Sequence, residues 1–313
     1  MSSIAVAMPM VARTAWALDY PSRPVHIIVG FPAGTVTDVT ARLVAQELPA
    51  RLGNTFFVDN KPGAAANLAA SLVAHSPPDG YTLLVVSSNY ATNASLYTDL
   101  DYDLRRDIAF VSGGMRSATV LVTNLTVPVR TLPEFIAYAK ANPAKLNYAS
   151  TGIGSATHVA CELFKMMTGV NFVHVPYHTN FLPDLLADQV QLTFIPIAAV
   201  LQQIRDGKLR ALGVTGNGRS AVLPDVPAIK EVVPDYEAYI WNGFGTPTGT
   251  DAQIVAKLNQ AINDALVNSS IAAKLAEEGA EPVVMSPSEF GAFVDAETDK
   301  WAKVIRAANI KIE

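Results

Sequence analysis

Val25-His26-Ile27-Ile28-Val29-Gly30-Phe31-Pro32-Ala33-Gly34-Thr35-Val36-Thr37-Asp38 carries an apolar run into a loop of small and hydroxyl residues, and a helix-period pattern follows. A run with no polar alternation suits a parallel strand covered on both faces. The helix is expected to begin near Thr37 or Asp38, both good caps. It would place Val39, Leu43, Val44 and Leu48 on one face, keep Arg42, Gln46 and Glu47 outside, and end at Gly53. Its first turn leaves backbone N–H groups unpaired at the positive end of the helix dipole, which is a place for an anion.

The same arrangement recurs at mid-chain, where Leu146 to Ala149 leads into Ser150-Thr151-Gly152-Ile153-Gly154-Ser155-Ala156-Thr157 and another helical stretch. One such loop reads equally well as a tight turn; two of them suggest two lobes gripping one anion. Neither contains Lys or Arg, so the anion would rest on amides, hydroxyls and dipoles, which suits a small carboxylate. The Walker Lys-Ser/Thr and the full G-x-G-x-x-G are both absent, which argues against a nucleotide. Expected ligand contacts are Phe31, Ala33, Gly34, Thr35, Val36, Thr37 and Asp38 in the first loop. Ser150, Thr151, Gly154, Ser155 and Thr157 are their counterparts in the second, with Ser87 and Asn89 at the end of a third strand.

Working outward, Phe56 to Val58 reads as a strand, Asn67 to Ala74 as a helix and Thr82 to Val86 as a strand, so the first unit is βαβαβ, a doubly wound parallel sheet. Ligands of such sheets sit beyond the carboxyl ends of the strands. After Val127-Pro128 a second α/β unit follows, with strands expected at 172–175, 190–194 and 209–214 and helices at 182–187 and 198–206. The C-terminal part adds a helix capped by Asp251, another from Ile271 to Glu278, a short strand from Pro282 to Met285 and a last helix opened by Ser286-Pro287-Ser288-Glu289. Such pieces are poor material for a third domain and are expected to pack on the first lobe. The α/β chain would then form lobes of residues 20–118 plus 236–313 and of residues 119–235. The backbone would cross between them near 113–124 and 232–243, and two crossings make a hinge.

A chain of 313 residues is long enough for two cores. Half of its residues are hydrophobic, 16% are charged, the net charge is -5, and no basic tract offers a footprint for nucleic acid. No apolar stretch reaches the roughly 18 to 20 residues that cross a bilayer. Residues 1–17 read as a secretory signal, with Ala15-Trp16-Ala17 as its small-x-small site, although no Lys or Arg precedes Arg13; a frayed tail is the competing reading. The single Cys161 excludes an internal disulfide and a multi-Cys metal cluster, and is read as a small buried residue.

Other chemistry is weaker. Ser155 and His158 could share a helix face, but no G-x-S-x-G elbow surrounds Ser155 and the spacing fits capping. His26, His75, His174 and His178 form no ligand-spaced set, so no metal and no cofactor is expected. Phe181, Trp241 and Phe244 could be core or ligand wall, Phe31 is read as a wall, and the charged run from Asp99 to Asp107 as a solvated surface.

Taken in order, several stretches resemble the extracytoplasmic solute-binding proteins of tripartite tricarboxylate transporters, the Bug family. They are Tyr20-Pro21-Ser22-Arg23-Pro24-Val25, Phe31-Pro32-Ala33-Gly34 with Asp38, Asp59-Asn60-Lys61-Pro62-Gly63-Ala64, Pro78-Asp79-Gly80-Tyr81-Thr82-Leu83-Leu84, Gly152-Ile153-Gly154-Ser155 with His158, Val173-His174-Val175-Pro176-Tyr177, Gly207-Lys208-Leu209-Arg210-Ala211-Leu212 and Leu223-Pro224-Asp225-Val226-Pro227. The resemblance implies a type II periplasmic-binding-protein-like fold, a monomer in the periplasm, capture of a small carboxylate between the lobes, and delivery to the large and small membrane subunits of a transporter. Tyr177 and Pro196 join the expected binding set from stretches where this chain departs from the family's pattern. Those departures are Thr35-Val36 where a glycine is usual, His178-Thr179-Asn180-Phe181 where a basic residue and glycines are usual, and Ile195-Pro196-Ile197 where an Asp is common. With Phe31 and Phe181 they admit a bulkier or less polar acid, an aromatic or a dicarboxylic one. A sensor read by a membrane kinase and a small-acid enzyme are the alternatives from other classes.

Overall fold

The computed structural model describes residues 20–177 and 179–312, so the signal reading of residues 1–17 and the position of His178 lie outside the described residues. In chain order the first elements are β1 (Val25–Val29), α1 (Val36–Leu52), β2 (Phe56–Asn60), α2 (Asn67–Ala74), β3 (Thr82–Ser87), α3 (Ser88–Leu96), α4 (Leu104–Asp107) and β4 (Ile108–Thr123). Then come α5 (Leu132–Ala141), β5 (Asn147–Ser150), α6 (Ala156–Thr168), β6 (Val173–Pro176), α7 (Leu182–Leu186), β7 (Leu192–Pro196), α8 (Ile197–Arg205) and β8 (Arg210–Val214). The chain closes with β9 (Tyr239–Pro247), α9 (Ala252–Leu266), α10 (Ser269–Glu277), β10 (Ala280–Pro282) and α11 (Pro287–Ala307).

The strands lie in the order β2-β1-β3-β9-β4-β7-β5-β6, with β8 and β10 also on β4. β1 runs parallel to β2 and β3, and β5 runs parallel to β6 and β7, as two βαβ units require. Between them β4 serves both halves: its residues up to Ala118 pair with β9, and Thr119 to Thr123 pair with β7 and β8. The fold is therefore the two-lobed, type II periplasmic-binding-protein-like α/β architecture. The first crossing between lobes is a strand rather than a loop.

Helices cover both faces of the first half. Ala41, Val44 and Leu48 of α1 and Ile254, Leu258 and Ile262 of α9 pack on Val25, Ile27, Val29, Leu83, Val85 and Phe244. On the opposite face α3 and α11 meet around Tyr90, Trp241, Phe290 and Trp301, and α11 extends to α6 of the second half. Trp241 and Phe244 are thus core residues. Cys161 is free and buried.

Some boundaries differ from the sequence reading. Thr35, not Thr37 or Asp38, caps α1: the Asp38 N–H donates to its Oγ1 at 3.4 Å. The C-terminal strand is Ala280–Pro282 rather than 282–285. Ser88–Leu96, which the sequence reading assigns to no element, is a helix with Tyr90, Thr92 and Asn93 turned inward.

Candidate functional site

The loops after β1 and β5 are built to one plan. In the first, Gly34 takes φ 84°, a left-handed conformation that glycine adopts without strain, and its N–H donates to Asp38 Oδ2 at 2.9 Å. In the second, Gly154 takes φ 75° and its N–H donates to His158 Nδ1 at 3.0 Å. Thr35 and Ser155 cap the two helices, so Asp38 and His158 occupy the same third helical position and reach back to the residue before the cap. What remains without an intrahelical acceptor is the first turn proper, the amides of Val36 and Thr37 in α1 and of Ala156 and Thr157 in α6.

Several expected contacts are therefore engaged inside the loops. Asp38, 2% exposed, also accepts from Arg42 Nε at 2.9 Å and from Asn60 Nδ2 at 2.8 Å. Burial pushes its carboxyl up, but the bonds from Arg42, Gly34 and Asn60 outweigh burial and hold the group below its ordinary value. A carboxylate so occupied shapes the loop and is no contact for an anion. The Thr35 hydroxyl bonds to Pro32 O, the Thr151 N–H to Thr157 Oγ1, and the Ser155 hydroxyl to Gly152 O at 2.7 Å. Gly154's amide is taken by His158, which also leaves Ser155 without an imidazole base, so the two are not a nucleophile–base pair. Tyr177 donates its hydroxyl to Asp184 Oδ2 at 2.8 Å, and Pro196 ends β7 opposite Thr119. Phe181, which the sequence leaves open between core and ligand wall, is 3% exposed and packed in the core of the second half, so the bulkier-acid reading loses one of the two aromatic residues it rests on. Phe31 is half-buried between two clusters, and Ala33 is exposed.

Ser87 and Asn242 face each other across β3 and β9, 3% and 2% exposed. Ser87 Oγ and both amide atoms of Asn242 make no hydrogen bond among the described residues. Buried polar groups left so cost about 1–3 kcal/mol each. Asn242 is also paired with Met115 of β4, and Val36 and Val39 of α1 pack on the cluster containing Met115, so the open turn of α1 lies over the face that these two side chains occupy. Asn242 was missed by the sequence reading. It was legible as the lone amide in Tyr239-Ile240-Trp241-Asn242-Gly243-Phe244, had that stretch been read as a strand.

The flanking walls are unusual. Ala64, Ala65 and Ala66 all hold positive φ, 48°, 53° and 76°, a costly state for alanine. α3 holds the turn: Asn93 Nδ2 donates to Ala65 O at 2.9 Å and Tyr90 Oη to Ala66 O at 3.2 Å. Gly30 lies so near that a Cβ on it would stand 2.6 Å from Ala66 Cβ. In the second loop, a Cβ on Gly154 would overlap Leu96 at the end of α3. A cavity of about 300 Å³ lies behind that loop, lined by Ile153, His158, Glu162, Lys165, His174 and the Ala308 to Lys311 tail. Cavities of about 560 and 460 Å³ open elsewhere, one between α3 and α11 and one along Arg116, Tyr239 and residues 216–222. Among the described residues no group of three or more His, Cys, Asp or Glu could hold a metal ion, and no helix is long and apolar enough to cross a membrane.

Residues 40–310 match the family described as tripartite tricarboxylate transporter family receptor. Protein BugT of Bordetella pertussis is 36% identical over 99% of this chain and 97% of its own length. Among solved structures, Rpa4515 of R. palustris with adipate superposes with TM-score 0.80 at 37% identity, covering 94% of this chain and 99% of that one. MatC from Rhodopseudomonas palustris with bound malate superposes with TM-score 0.75 at 31% identity, covering 91% of this chain and 100% of that one.

Proposed function

The chain belongs to the tripartite tricarboxylate transporter receptor family, whose members are periplasmic solute-binding proteins, and we propose that it captures a small dicarboxylate in the periplasm and hands it to the membrane subunits of such a transporter. The ligand lies between a lobe of residues 20–118 plus 236–313 and a lobe of residues 119–235. One carboxylate meets the amides of Val36 and Thr37 with Ser87 and Asn242; the second loop meets the other end through Ala156 and Thr157. The single observation that carries this reading is the pair of buried, unpartnered side chains of Ser87 and Asn242 beneath an open helix turn. That relatives are held with adipate and with malate supports the ligand class.

Magnitudes decide what must do the holding. Micromolar capture needs about 8 kcal/mol, while a helix start contributes about 0.3–2 kcal/mol. Two helix starts fall short, and hydrogen bonds to a charged group, about 1.5–3 kcal/mol each, make up the difference. Arg42, one turn beyond Asp38 in α1, is already tied to Asp38 and Asn60. Closure is driven by the contacts made only when both loops touch the ligand, because equal contact with open and closed states shifts nothing.

Calorimetry with linear dicarboxylates of two to eight carbons, the matching monocarboxylates and benzoate tests the reading. Micromolar binding of a dicarboxylate, weakened at least tenfold by Asn242→Leu, is expected. Binding of monocarboxylates alone, or affinity indifferent to Asn242→Leu, overturns it.

A further inference from the structure

His158 and His174 clamp the two ends of the second loop. His158 Nδ1 accepts the Gly154 N–H at 3.0 Å, just before the helix, and His174 Nε2 bonds the Ser150 hydroxyl at 2.7 Å, where β5 ends. Their rings stack with centroids 3.9 Å apart and 11° from parallel, so helix α6 and strand β6 hold the loop through one rigid unit. Tyr148 also packs on His174, with centroids 4.7 Å apart, and lies 6.1 Å from His158.

The charges around the clamp explain why an imidazole stands here where the first loop has Asp38. Glu162, one turn along α6, takes the Tyr148 hydroxyl at 2.5 Å and Lys165 Nζ at 2.7 Å, and its Oε1 lies 4.0 Å from His158 Nε2. A carboxylate at 158 would face Glu162 across the turn with Lys165 already shared, and would set another negative charge beside the incoming anion. In the first loop Arg42 meets that charge. A neutral acceptor does the same geometric work without it, and because Nδ1 accepts, the ring proton resides on Nε2.

We propose that His158 is a positioning residue of the carboxylate site: its uncharged imidazole, backed by His174, fixes Gly154 and so turns the Ala156 and Thr157 amides toward the ligand. The inference rests on the receptor reading given above. It requires the acceptor atom at Nδ1, not the ring as packing.

Two nearly isosteric variants separate these roles. His158→Asn keeps an acceptor at the Nδ1 position, His158→Leu removes it, and both lose the stack. In ligand-free protein, exchange of the Gly154 amide, followed by NMR, is expected to stay slow in His158→Asn and to accelerate at least tenfold in His158→Leu. The Kd for adipate, or for whichever acid of the panel the wild type binds, is expected to stay within about threefold in the first and to rise at least tenfold in the second. Equal effects of the two variants, or slow exchange in His158→Leu, overturn the proposal. His158→Gln, whose amide lies one bond further out, provides the same contrast if the leucine variant does not fold. Should the wild-type protein bind no acid, the receptor reading fails while the exchange comparison still decides the clamp.

Discussion

His158 and His174 lie face to face at 3.9 Å, His158 buried and His174 half-buried. Burial lowers the pKa of His158 from 6.5 to about 3, with His174 and Lys165 adding to the effect. Burial likewise lowers His174 to about 4, opposed by Glu162 and aided by Lys165.

Stability is therefore expected to fall in acid well before the carboxylates titrate. Above pH 6.5 both rings are neutral, folded or unfolded; below it the unfolded chain takes up protons that the folded one refuses. Stability is full above 6.5 and drains as the pH falls toward 3 to 4. His158 alone contributes on the order of 1 kcal/mol per pH unit across that window. The groups facing it are Tyr148, Glu162, Lys165 and His174, with Lys311 lining the cavity behind. Urea midpoints from pH 8 to 5 should decline in the wild type and decline less in His158→Asn; parallel slopes would reject the assignment.

Asn242 should trade stability for binding. Replacing an unpartnered buried amide with an apolar side chain of similar shape removes a desolvation cost, so Asn242→Leu is expected to gain about 1–3 kcal/mol in urea unfolding while losing affinity. Loss of both stability and affinity would mean that the amide is satisfied within the fold.

Gly30 and Ala66 should couple. Gly30→Ala forces two methyl groups together beside Tyr90 and is expected to cost about 1–3 kcal/mol. Ala66→Gly alone relieves left-handed strain of about 1–2 kcal/mol, and in the double variant it also removes the methyl overlap. Unfolding energies that simply add would refute the contact.

Gly154→Ala meets two obstacles, a φ of 75° and Leu96 at the end of α3. Affinity for the bound acid is expected to fall at least tenfold, and Leu96→Ala in the same chain should restore part of it. If the second change restores nothing, the backbone alone is responsible.

How much of this was readable beforehand depended on whether burial was local. β1, α1, β3, α6 and α9 carry apolar patterns set by their own neighbours, and the sequence reading finds them. α3 does not, because Tyr90, Thr92 and Asn93 point inward to hold backbone rather than to pack an apolar stripe. β4 and β9 were invisible as strands: Gly113, Gly114, Gly243 and Gly245 make room for Val283, Asn242, Phe290 and Ile108 respectively, each far in sequence from the glycine it abuts. The glycine loops announced themselves by composition. The acceptors that shape them did not, since Asp38 and His158 become loop anchors only once the caps at Thr35 and Ser155 are placed.

Ile108–Thr123 pairs along its length with strands of both halves, and its ladders are interrupted between Phe110 and Ser112, between Gly113 and Met115, and between Leu121 and Val122. A continuous ribbon cannot swing like a door on a slack tether; it can only wind and unwind, with the irregular points taking up the twist. Any change in the angle between the two halves is therefore expected to be taken up as twist along this ribbon, an elastic resistance that ligand binding would work against.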